Sequence, residues 1–183
     1  MIEGARATYP SSAHPNLTFE VRDCSLPERM KHDESFDIVF AGWFLNYAGT
    51  EGELTNMFRV VEQNVKEGGK FVGVTTNVHD PYLIEPKMDF YGLDILVLDP
   101  AYIAPDTGKE VGIKARVVVK GDHPFNFDVF QFRKEVYERC AEKAGLKLKW
   151  CELVLPDDKR VKEGYWDRYV ERPTFAVVEA VRA

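Results

Sequence analysis

The 183 residues are 45% hydrophobic and 13% aromatic, enough apolar material for one domain with a sizeable core and too much for a disordered chain. A net charge of -6 argues against a nucleic-acid partner, since phosphate contacts require a basic face. No apolar run approaches the ~20 residues that span a bilayer, and residues 1–15 lack the apolar core of a signal peptide.

Met1–Ala7 has helical spacing and reads as the tail of a helix that begins without a cap. Pro10 to Pro15 is a turn-rich connector. Leu17–Val21 alternates Leu, Phe and Val with polar residues, the period-two pattern of a strand. Phe36–Phe40 is nearly all apolar, as a strand buried on both faces of a parallel sheet should be. Thr50 followed by Glu53 matches a capping box, and Leu54, Met57, Phe58, Val61 and Val65 then form a helical stripe. Gly68-Gly69 is read as the stop of that helix and Lys70–Thr76 as the next strand. Strand, helix, strand with short joints is a crossover unit feeding a parallel sheet.

Residues 77–105 carry prolines at 81, 86, 100 and 105 and read as loop-rich. Gly112–Lys120 is a strand by its β-branched content, and Phe125–Phe132 alternates and pairs with it as a long hairpin. These segments make a β-rich insertion over 78–131. Arg133–Ala144 is an amphipathic helix ended by Gly145, Leu146–Leu155 a strand, 157–171 helical or irregular, and Phe175–Val181 a last strand behind Pro173. Cys24, Cys140 and Cys151 are scattered, with no metal-ligand spacing, and read as reduced thiols of a cytoplasmic protein.

Taken in order, Arg22-Asp23-Cys24 after one strand, Phe36-Asp37-Ile38-Val39 opening the next, Glu67-Gly68-Gly69 before another, and the closing Gly164-Tyr165-Trp166-Asp167 and Phe175–Ala180 resemble class I S-adenosylmethionine-dependent methyltransferases. The narrower likeness is to small-molecule methyltransferases of the toxoflavin-synthase type. The resemblance implies an α/β, Rossmann-like methyltransferase sheet in a single domain over 1–183, with methyl transfer to oxygen or nitrogen of a small-molecule acceptor.

It also implies roles for particular residues. Asp23 stands where the family's acidic residue holds the adenine amino group, with the backbone N–H of Cys24 for the ring nitrogen; the plainer reading is that Asp23 caps a turn. Ala41 and Gly42, small residues at a strand's carboxyl end, let a cofactor approach the backbone. Trp43, Phe44 and Tyr47 wall the methionine end and the acceptor, or else pack the core. Tyr47 and His79 are the candidate catalytic residues, His79 as a proton acceptor or simply a solvated loop histidine. Tyr82, Tyr91 and Tyr102 line an acceptor pocket or serve packing, and His14, His32 and His123 have no assigned role.

The family's glycine-rich turn and the acidic residue after its second strand are not found, so two strand–helix units, on the order of 50 residues, are expected to be absent from the front of the domain. That predicts an N-terminally truncated sheet that is either rearranged or completed by strands of a second chain, in a homodimer or strand-exchanged oligomer. The other reading is a cofactor-free descendant that binds a small molecule, serves as a dimeric scaffold or carries out non-methyl chemistry.

Overall fold

The computed structural model describes residues 2–27, 35–79 and 85–183. In chain order the elements are α1 (Ile2–Thr8), β1 (Phe36–Gly42), a single-turn 3-10 helix (Leu45–Tyr47), α2 (Glu51–Asn64), β2 (Val65–Thr76), β3 (Lys87–Phe90), β4 (Leu93–Ala104), β5 (Lys109–Val119), β6 (Phe125–Phe132), α3 (Lys134–Lys143), β7 (Leu146–Trp150), α4 (Lys159–Lys162), α5 (Asp167–Glu171) and β8 (Phe175–Arg182). Among the described residues the strands form two four-stranded sheets, ordered β1-β2-β8-β7 and β3-β4-β5-β6.

The first sheet grows from the crossover unit. β1 and β2 are parallel, with Ile38 beside Lys70 and Phe40 beside Val72, and α2 joins them. The Thr50 hydroxyl accepts from the Glu53 N–H at 3.0 Å, while the Glu53 carboxylate accepts from the Gly49 N–H at 2.7 Å. The reciprocal bonds of a capping box therefore form, the second reaching one residue further back than usual. Leu54, Met57, Phe58 and Val61 are buried along the predicted stripe. β8 then lies antiparallel between β2 and β7. Across the helical layer, the Glu51 carboxylate pairs with the Arg139 guanidinium at 2.7 Å, tying the first turn of α2 to α3.

Gly68-Gly69 does not stop α2. The helix ends at Asn64, whose follower Val65 is already extended. The glycines fall inside β2, where the register jumps between Phe36 beside Val65 and Ile38 beside Lys70. Gly68 takes φ 75° there, so the pair makes an irregularity in the ladder and not a cap.

The second sheet is an antiparallel meander and accounts for the β-rich insertion. The proline-bearing stretch expected as loop instead forms β3 and β4, joined by Tyr91-Gly92 with φ 52° and 81°, the paired positive angles of a tight hairpin turn. Pro100 is accommodated in β4 because the register slips between Asp99 and Tyr102, freeing it from a ladder position that needs an N–H. Tyr82, one of the tyrosines assigned to the acceptor pocket, and His32 lie outside the described residues.

The Leu17–Val21 strand is not formed. The segment is irregular, with Val21 78% exposed, and the Arg6 guanidinium donates to the Phe19 carbonyl at 2.9 Å. A period-two pattern makes a strand only when another strand accepts its ladder and a core covers one face, and among the described residues neither lies beside 17–21. Nor is Phe36–Phe40 buried on both faces. β1 is an edge strand whose Val39 and Ala41 pack on the core while Ile38 and Phe40 are each 67% exposed. Among the described residues no other strand takes the place beside β1. The other elements end early: β7 stops at Trp150, and 157–171 holds the two short helices α4 and α5.

One core joins both sheets. Leu45, Phe58, Phe71, Val136, Tyr137 and Val178 from the first layer meet Ala104, Val111 and Phe132 from the base of the second. Within the second sheet, β5 lies tight against β6 at Gly112: a Cβ there would stand 2.0 Å from the Gln131 carbonyl oxygen, and its φ is 153°. The foot of the second sheet is thus held by packing, and its far half reaches out over the carboxyl end of β1 and β2.

Candidate functional site

Between that overhang and the strand ends lies a cavity of about 590 Å³, within the range that accepts a drug-sized molecule. Its roof follows from register. Ala115 faces Val129, Val117 faces Phe127, and Val119 faces Phe125, so the same face of β5 and β6 turns apolar side chains inward. Leu93 and Ile95 extend that face on β4, opposite Val119 and Val117. The other face is polar: Arg116 stands beside Asp128 and donates to it at 2.6 Å, which holds the Asp128 carboxyl below the usual carboxylate range.

The floor comes from the strand ends and the turn after β1. Trp43, Asn46 and Tyr47 line it together with Thr76 and Thr174. Trp43 has φ 57°, a left-handed conformation that a bulky residue adopts at a cost of about 1–3 kcal/mol. Its N–H donates to the Val74 carbonyl at 2.9 Å, and its ring meets Phe175 edge-on at 5.9 Å. The Tyr47 ring lies against Phe127 at 5.9 Å, closing floor to roof. Gln131, at the inner end of β6, donates from Nε2 to the Asn77 carbonyl at 2.5 Å. No acidic, basic or imidazole side chain lines the cavity among the described residues.

Thr76 and Thr174 hold buried hydroxyls without a hydrogen-bond partner, and Asn46 holds a whole buried amide without one. It is 1% exposed, and neither its amide nitrogen nor its amide oxygen has a hydrogen-bond partner. Leaving such a group unsatisfied costs about 1–3 kcal/mol.

Of the seven residues singled out from the sequence, the structure brings Trp43 and Tyr47 into this cavity, with Ala41 and Gly42 leading up to them at the end of β1. A Cβ at Gly42 would meet nothing nearer than the Phe40 ring at 3.5 Å, so the strand end is open to a ligand. His79 lines a second cavity of about 370 Å³ with Cys151 and Tyr169. Its ring stands edge-on to Trp150 at 6.1 Å, and its N–H donates to the Asn77 side chain at 3.0 Å. Phe175 belongs to that second cavity and touches Trp43, so the two cavities adjoin through one ring pair.

Asp23 and Cys24 are in the irregular segment before β1. One Asp23 oxygen accepts from both the Ser25 N–H, at 2.9 Å, and the Ser25 hydroxyl, at 2.6 Å, which holds the carboxyl below its ordinary range. This is the turn-capping geometry weighed from the sequence. Partial burial pushes the Cys24 thiol up.

Asn46, Thr76, Gln131 and Thr174 were not found from the sequence. The signal for Gln131 was available, as the only polar residue at the 125-127-129-131 alternation of β6. Asn46 offers none, because only the fold reveals that its neighbours leave it without a partner.

Against solved structures, the chain is similar to a methyltransferase from Mesorhizobium loti that depends on S-adenosylmethionine, with TM-score 0.62, 18% identity, and coverage of 100% of this chain and 76% of that one. It is similar to the CcbJ methyltransferase from Streptomyces caelestis, with TM-score 0.57, 14% identity and coverage of 100% and 75%. It is also similar to the glycopeptide N-methyltransferase MtfA in complex with S-adenosyl-L-homocysteine, with TM-score 0.56, 13% identity and coverage of 99% and 67%. No protein-family model and no curated protein matches the sequence. At these identities the likeness is one of fold: the chain has the fold of S-adenosylmethionine-dependent methyltransferases, over about two thirds to three quarters of their length. Among the described residues no helix is long and apolar enough to cross a membrane.

Proposed function

We propose that this chain carries the acceptor-binding part of a methyl-transfer enzyme acting on oxygen or nitrogen of a small molecule, in keeping with its likeness to small-molecule methyltransferases of the toxoflavin-synthase type. The observation that carries the proposal is the apolar cavity of about 590 Å³ over the carboxyl ends of β1 and β2, the place where open α/β sheets bind ligands. When bound, S-adenosylmethionine would supply the electrophilic methyl group for the acceptor's oxygen or nitrogen.

The chain's own residues then have definite tasks. Trp43, with the open backbone of Ala41 and Gly42, holds the sulfonium end of the cofactor, where an aromatic face favours a cation. Asp23 and the Cys24 N–H take the adenine, using the Asp23 oxygen that Ser25 leaves free. The roof residues Val117, Phe127 and Val129 exclude water and align the acceptor, which is most of what an in-line displacement asks of a protein. Tyr47 orients the acceptor from the wall. His79, in the adjoining cavity, takes up the proton that a hydroxyl or protonated amine releases, by way of solvent.

A second reading has its own support. Asp23 is already engaged by Ser25, which favours a chain that binds a small molecule without transferring a methyl group. Calorimetric titration of the 183-residue chain with S-adenosylhomocysteine separates the two. One-to-one binding in the micromolar range supports methyl transfer; no binding by the folded chain leaves the ligand-binding reading.

A further inference from the structure

We infer that Asn46 is a specificity-determining residue, selecting a neutral, flat acceptor that carries a hydrogen-bond donor and acceptor side by side, as a lactam or primary amide does. The inference rests on the reading that the large cavity holds the acceptor. Three observations carry it.

The first is the unmet valence of Asn46. Both ends of its amide are shut off from solvent and have no partner, in a wall that is mostly ring and aliphatic surface, with Thr76, Thr174 and Gln131 as its other polar members. An apolar residue of that shape would cost less, because the folded chain would not carry a desolvated amide. The arrangement makes sense when a ligand supplies the missing bonds. A carboxamide offers one N–H and one C=O in a plane, so its complement is a group presenting C=O and N–H in the same spacing.

The second is charge. Among the described residues that line the cavity there is none that is acidic, basic or an imidazole, so a charged acceptor would enter without a counter-ion. Burying an unpaired charge is far more costly than burying a neutral amide, which excludes carboxylates and ammonium groups from the buried part of the ligand.

The third is shape. Val117 and Val119 lie directly opposite Phe127 and Phe125, making a broad apolar roof, and the Tyr47 ring tilts against Phe127 at its edge. A flat ring system fills such a slot. Gln131 is committed to the Asn77 carbonyl, and the Asn77 side chain to the Pro173 carbonyl and the backbone N–H of His79. The Thr76 and Thr174 hydroxyls also lack a partner, but a hydroxyl is a single atom and does not present the side-by-side donor and acceptor of a carboxamide. Discrimination therefore falls on Asn46.

The test uses the full 183-residue chain and three probes built on one fused bicyclic ring: quinolin-2-one, which carries the paired donor and acceptor; naphthalene, which carries neither; and quinoline-2-carboxylate, which is charged. Titration by fluorescence or calorimetry is expected to show quinolin-2-one binding about ten-fold or more tighter than naphthalene, with the carboxylate weakest. Asn46→Leu should erase the preference for quinolin-2-one, keep or improve naphthalene binding, and raise the thermal midpoint of the ligand-free chain. Trp43→Ala should weaken both neutral probes alike. If the neutral probes bind equally, or Asn46→Leu leaves their ratio unchanged, the selectivity inference is overturned while the acceptor cavity stands. Carboxylate binding as tight as that of quinolin-2-one overturns the neutral class. If no probe binds the folded chain, the acceptor-cavity reading fails and the inference falls with it.

Discussion

The Gln131 side chain donates to the backbone carbonyl of Asn77 at 2.5 Å, joining the inner end of β6 to the residue that follows β2. Asn77 is bound on every other side as well. Its N–H donates to the Thr174 carbonyl at 3.1 Å, its amide nitrogen to the Pro173 carbonyl at 3.0 Å, and its amide oxygen accepts from His79. One residue thus fixes the second sheet, the start of β8 and the segment carrying His79 relative to one another. The roof of the cavity is held over its floor by these bonds and by the shared core around Phe132.

Replacing Gln131 with Leu removes the link and leaves the Asn77 carbonyl buried without that donor. The expected loss is about 1–3 kcal/mol of stability, read as a lower urea midpoint with an unchanged slope. A second consequence separates this from a simple packing defect: ligand binding to the cavity weakens, because the roof is no longer tied to the strand ends. An unchanged midpoint would show that the bond contributes nothing net.

Gly112 is expected to tolerate no side chain. Any Cβ would collide with the Gln131 carbonyl oxygen, 2.0 Å away, in a backbone conformation that residues with side chains avoid. Gly112→Ala should destabilise by at least about 1–3 kcal/mol, and circular dichroism should report a lower thermal midpoint. Gly108→Ala, at a turn where nothing lies within 4 Å, should cost less. Equal effects would mean that the close approach is not what Gly112 provides.

Tyr169 sets an alkaline limit. Burial pushes its phenol up to about 12 from 10.0, and the protonated hydroxyl donates to the Phe175 carbonyl at 3.2 Å. The folded chain therefore holds this proton more tightly than the unfolded one. The stabilisation is complete below pH 10 and declines as pH rises through the folded value near 12. Denaturation followed at pH 9, 10 and 11 should show a steeper fall for the wild type than for Tyr169→Phe. Parallel curves would refute the assignment.

The uncovered side of β1 predicts association. Ile38 and Phe40, each 67% exposed, share one face of the sheet, and among the described residues no strand pairs with the outer side of 38–42. Such a surface invites pairing with a second copy of the chain. Light scattering should give a mass above that of a monomer, and Ile38→Lys with Phe40→Lys should return it to one. A monomeric wild type would rule out this mode of closure.

The sequence by itself determined the elements whose patterns are local. Thr50 and Glu53 announced the start of α2, Leu54 to Val61 its buried stripe, and Phe125 to Phe132 a strand whose alternation matches the roof of the cavity. That Trp43 and Tyr47 stand at the carboxyl end of the sheet, where the cavity lies, was legible because they follow a strand in a crossover unit. What depends on neighbours distant in sequence was decided only by the tertiary structure. Leu17–Val21 has the pattern of a strand but no ladder to join, and Phe36–Phe40 has the composition of a central strand but lies at an edge. Asn46 looks like any polar turn residue until the second sheet closes above it and removes its water. Periodicity records the preference of each residue for apolar or aqueous surroundings, whereas pairing, edges and unmet hydrogen bonds belong to the contacts between segments.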